Sequence, residues 1–134
     1  MRIDDVSPTA ATASLAFGPA DQSICGKGLS VALSTDGVPY SMLWTAWEAI
    51  ARWDDDGQRQ LGDSRLTRDE ALRMAAQSGH RLTWNEDRYG SLEVGKVADM
   101  VVLADDPLSC DLSRLKDIRV DRTFVGGRQV FGPT

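Results

Sequence analysis

Histidine is nearly absent from this sequence: His80 is the single copy among 134 residues. A catalytic zinc usually takes three protein ligands. Asp36, His80 and one cysteine could in principle make three, but His80 follows a helix cap and the cysteines match no ligand spacing, so no independent metal site is expected. There are two cysteines, Cys25 and Cys110, with no close pairing and no secretory leader, so a disulfide framework is not expected and both are expected as free thiols. A basic excess is also missing: fifteen Lys and Arg stand against twenty Asp and Glu, a net charge of −5. A nucleic-acid binder would show a basic stripe, and none is visible. No apolar run approaches membrane-spanning length, and the opening residues lack the Arg-rich and apolar features of a targeting peptide. The expectation is a cytoplasmic chain with neither nucleic acid nor membrane as partner. There is no internal repeat and no low-complexity tract. The longest like-charge run, Asp54-Asp55-Asp56, reads as a solvated loop.

What the chain does have is concentrated between residues 90 and 103, Gly-Ser-Leu-Glu-Val-Gly-Lys-Val-Ala-Asp-Met-Val-Val-Leu. Gly90 and Gly95 mark two bends. Met100 to Ala104 is an unbroken apolar run that Asp105-Asp106-Pro107 stops, which predicts a strand. Without polar alternation, that strand is expected to be covered on both faces.

Residues 1–28 are small, polar and poorly periodic, and read as irregular. Leu29 to Leu33 reads as a buried strand, followed by the loop Ser34 to Pro39. Leu43, Trp47, Ile50 and Trp53 fall at helical spacing and predict a helix over Tyr40 to Trp53. Its aromatic stripe is expected in the core, and core packing is likewise the expectation for Trp44, Trp47, Trp53 and Trp84, although they have the chemistry to line a pocket. Thr67-Arg68-Asp69-Glu70 is a capping box, opening a helix predicted to run to Ser78 with Gly79 as its C-terminal cap. His80 to Tyr89 reads as a turn or short helix, and Leu112 to Asp117 as one helical turn. Ile118 to Val125 and Arg128 to Phe131 flank Gly126-Gly127, a strong hairpin signal.

The words of the 90–103 stretch, then Asp105-x-Pro107-Leu108, then Val120-x-x-Thr123-x-Val125-Gly126-Gly127-Arg128-x-Val130, resemble the C-terminal signature of the amidohydrolase superfamily, closest to the amidohydrolase 3 branch. The resemblance extends over about residues 29–132, with nothing family-like in residues 1–27. It implies an α/β fragment: the last β/α unit of a (β/α)8 barrel, residues 29–89, followed by the C-terminal strands of a small β-sandwich domain, residues 90–134. A closed barrel needs about 250 residues, so the chain corresponds to a piece of that fold.

The resemblance also implies chemistry: metal-dependent hydrolysis of carbon–nitrogen bonds in a small amide-type substrate. It assigns Asp36, in Ser34-Thr35-Asp36, to the carboxylate at the end of the last barrel strand, where it touches a divalent metal, zinc foremost, and handles the proton of the attacking water. Barrel enzymes build their sites at that end of the strands. Read without the resemblance, Asp36 in Thr-Asp-Gly is an ordinary loop residue in an Asx turn. The family's His-x-His pair, its further histidines and its bridging lysine sit on other barrel strands and have no counterpart here. Lys96 lies in the Gly-Lys-x-Ala-Asp turn, so Lys96 and Asp99 are expected to be structural, pairing across the bend. His80 follows a helix cap and is expected to pack or face solvent. The isolated chain is expected to be inactive. The alternatives are a non-catalytic module that self-associates or completes another chain through open sheet edges, and a truncated product with no activity of its own.

Overall fold

The computed structural model describes residues 31–35, 40–52 and 66–133. Among the described residues there are four helices, α1 (Met42–Ala51), α2 (Arg68–Ala76), α3 (Ser78–Leu82) and α4 (Leu112–Leu115), and three strands, β1 (Met100–Leu103), β2 (Val120–Val125) and β3 (Arg128–Phe131). The strands form one antiparallel sheet in the order β1-β2-β3.

Helix α1 begins where Ser41, in extended conformation, accepts the Trp44 amide on its hydroxyl, and ends where Arg52 turns left-handed and donates its amide to the Glu48 carbonyl. The predicted span to Trp53 is thus shortened at both ends, and Trp53 lies outside the described residues. Helix α2 opens with the capping box read from the sequence. Thr67 accepts the Glu70 amide, and the Glu70 carboxylate accepts both the Thr67 amide and hydroxyl at 2.7 Å. These bonds favour the ionised form and hold the Glu70 carboxyl below its usual range. Asp69 and Arg73 add an exposed i,i+4 pair. The predicted end is wrong: α2 stops at Ala76, and Gly79 lies inside the short helix α3. Gln77 stays right-handed, so the chain passes through a break between two helices with no glycine cap.

The core brings Val31, Leu33, Ala46, Ala49, Ile50, Leu66, Ala71, Met74 and Leu115 together, with Leu43, Trp47, Leu112 and Ile118 packed at its margin. Small side chains dominate the faces of α1 and α2, which allows the two helices to approach closely. Val31 and Leu33 are buried as expected, but residues 31–35 pair in no sheet among the described residues. No described strand runs beside them. Instead the Leu33 amide donates to the Met74 carbonyl at 3.2 Å. That carbonyl is in the last turn of α2, where intrahelical donors run out.

The expectation for β1 is also corrected. Val101 and Val102 are 54% and 43% exposed, so β1 is not covered on both faces. An unbroken apolar run does not distinguish a strand enclosed by its own chain from one whose cover is absent. Val101, Thr123 and Phe131 are cross-strand partners on one face. The hairpin is as predicted: Gly126 and Gly127 both have positive φ, +57° and +78°, which is what a two-residue type I′ turn asks of its central positions.

The sheet-bearing segment is fixed to the helices in two ways. Leu115, on α4, is fully buried in the helical core. Arg68, at the start of α2, donates through one guanidinium nitrogen to the carbonyls of Cys110 (2.6 Å) and Pro107 (3.2 Å).

Three stability outcomes follow from this packing, each read by urea unfolding. Leu115→Ala is expected to cost about 2–5 kcal/mol, the range for a large-to-small change in a core. Arg68→Ala is expected to cost about 1.5–3 kcal/mol, the range for hydrogen bonds from a charged donor, here to half-buried carbonyls. Glu70 binds its proton less readily folded than unfolded, so its contribution is present above the ordinary glutamate value of about 4.3 and fades as pH falls through the lower folded value. Thr67→Val should reduce that part of the acid sensitivity, and an unchanged acid profile in this variant would contradict the assignment.

Candidate functional site

The residue singled out by sequence, Asp36, falls in the segment 36–39 outside the described residues. What is described is the approach to it. Val31 and Leu33 point into the core, Ser34 is exposed, and the chain leaves the core there. The Leu33–Met74 hydrogen bond lies three positions before Asp36 in the sequence. The backbone at Leu33 is thus held by the end of α2.

The other candidates are placed directly. His80 stacks on Tyr89, with ring centroids 5.4 Å apart and planes 16° from parallel. It packs, as expected. Among the described residues no three His, Cys, Asp or Glu side chains come together to hold a metal ion. Cys25 and Asp54 to Asp56 lie outside the described residues. Cys110 is a half-buried free thiol whose sulfur lies 3.5 Å from the Arg68 guanidinium.

Lys96 and Asp99 are structural, but they do not pair with each other. Lys96 donates to the Ser91 hydroxyl at 2.7 Å and lies 3.6 Å from Glu93, while Ser91 donates to Glu93 at 2.9 Å. Ser91, and after it Lys96, holds the Glu93 carboxyl below its usual range. Asp99 reaches across the fold instead, accepting the Gly126 amide at 2.7 Å. Beside it the Ala98 carbonyl accepts the Gly127 amide at 2.9 Å. The Ala-Asp pair of the turn thus grips the Gly-Gly tip of the hairpin. Two motif words 27 residues apart are one structural device.

The tryptophans divide. Trp44 and Trp47 meet edge to face at 5.6 Å on the margin of the core, and the Lys116 ammonium lies over both rings at 4.6 and 5.3 Å. Trp84, expected in the core, is 73% exposed in a left-handed turn after α3. Sequence reading did not single out Arg68 or Lys116. Their partners are 42 residues away for Arg68 at Cys110 and on a separate helix for Lys116, and no local pattern announces such contacts. Among the described residues Glu86 Oε2 is buried without a hydrogen-bond partner, and nothing in the structure accounts for it. No described helix is long and apolar enough to cross a membrane.

With this geometry in place, similarity to known proteins becomes informative. The chain matches the family model described as the amidohydrolase family over residues 2–131. The match reaches back to residue 2, through a segment that the motifs alone left outside the resemblance. An N-substituted formamide deformylase from Arthrobacter pascens is 34% identical over 108 residues, covering 79% of this chain and 20% of the deformylase. Among solved structures, the guanine deaminase of E. coli is similar with a TM-score of 0.62 and 26% identity, covering 84% of this chain and 30% of the deaminase. A zinc-bound adenosine deaminase from Xanthomonas campestris is similar with a TM-score of 0.57 and 26% identity, over 79% of this chain and 26% of that one. The chain spans about a fifth of the curated relative and under a third of these solved structures.

The grip of Asp99 on the hairpin makes a testable statement. Asp99→Ala is expected to cost about 1–2 kcal/mol and to raise amide exchange selectively at Gly126 and its neighbours. Uniform exchange across the sheet in that variant would show that the carboxylate does not hold the turn.

Proposed function

Because the chain belongs to the amidohydrolase family, we propose that it is the C-terminal part of a metal-dependent hydrolase of carbon–nitrogen bonds acting on a small amide-type substrate. The observation that carries the reading is the family match over residues 2–131. Relatives named as a formamide deformylase and two deaminases support cleavage at a C–N bond as the reaction class. The proposed barrel assignment takes residues 29–89 as its last β/α unit and the β1-β2-β3 sheet as part of a β-sandwich.

Asp36 is the residue proposed to act. Its carboxylate accepts a proton from the attacking water and delivers it to the leaving nitrogen, a transfer worth about 10²–10⁴ in rate when the group is well placed. A bound divalent metal, in such enzymes, lowers the pKa of its water to about 7. The described residues do not fit the demands of a complete metal site. On this reading Asp36 is one ligand, and the other holders of the metal lie outside these 134 residues.

The test has two arms. The purified chain, given Zn²⁺ or Mn²⁺, is expected to show no turnover of N-substituted formamides, N-acyl amino acids or hydantoins, and to retain less than stoichiometric metal after dialysis. Turnover that Asp36→Asn abolishes would overturn the expected inactivity. In a longer polypeptide carrying this segment, Asp36→Asn should lower kcat by about 10²–10⁴, and an unaffected kcat would remove Asp36 from the mechanism.

A second reading is favoured by the exposed sheet, where Val101 and Phe131 stand 54% and 58% open on a shared face. On it the chain is a non-catalytic segment that completes a separate chain supplying the rest of the amidohydrolase fold. A concentration series in size-exclusion chromatography with light scattering separates the outcomes. A monodisperse monomer that unfolds cooperatively argues against the need for any cover, and a dimer points to a second copy instead.

A further inference from the structure

We draw no further inference here: the strongest candidate, the apolar row of Val101 and Phe131 on one face of the three-stranded sheet with Val125 and Val130 exposed beside it, is the surface the second reading already uses, and nothing in the structure shows what covers it.

Discussion

One guanidinium holds the two halves of the described structure in register. Arg68 leaves the first turn of α2 and satisfies two carbonyls of the loop between β1 and α4. That loop turns on Asp106, whose carboxylate takes the Ser109 hydroxyl and the Leu108 amide, and these bonds with the nearby Arg68 charge keep its pKa low. Carbonyls in a half-buried loop have no ladder to join, and leaving them unpaired is costly. The arginine removes that cost and fixes where α4 lands, so Leu115 joins the buried cluster that α1 and α2 contribute to. Lys116, the next residue, then finds the faces of Trp44 and Trp47. The sheet follows from there, because β2 starts only a few residues after α4.

Within the sheet-bearing part the organisation is local and redundant. The Ser91–Glu93–Lys96 cluster shapes the turn before β1. Val97 donates its amide to the Arg88 carbonyl, tying that turn back to the end of the helical part. Ala98 and Asp99 then grip the hairpin tip. The words that carry the family resemblance are therefore mostly architectural. They shape the turn and bind the hairpin, and among the described residues none of them converges on a reacting group. The turn and the hairpin thus carry the family's words as a structural device.

The legible and illegible parts of the sequence divide along the same line. The capping box at Thr67, the Gly126-Gly127 turn and the helical turn at Leu112 were readable because each is a short-range arrangement with one good solution. The end of α2 was misread because Gly79 offers a cap that the chain does not use; the helix breaks earlier, at Gln77. The burial of β1 was misread because apolar composition records what a strand needs, and the described residues do not supply it. Lys96 and Asp99 do not pair across the bend as expected, because the fold offers Lys96 a nearer hydroxyl and Asp99 a more distant amide. Asp36 was reached through resemblance, and the described residues show only the approach to it.

The Leu33–Met74 bond gives Leu33 an unusual dependence. Met74 supplies both a buried side chain to the core and the carbonyl that holds the Leu33 amide. Repacking beneath the helix would therefore be felt at Leu33 twice, through the shared apolar cluster and through the main-chain bond. One core position thus works as a mechanical relay between α2 and residues 31–35, a segment without a ladder of its own among the described residues.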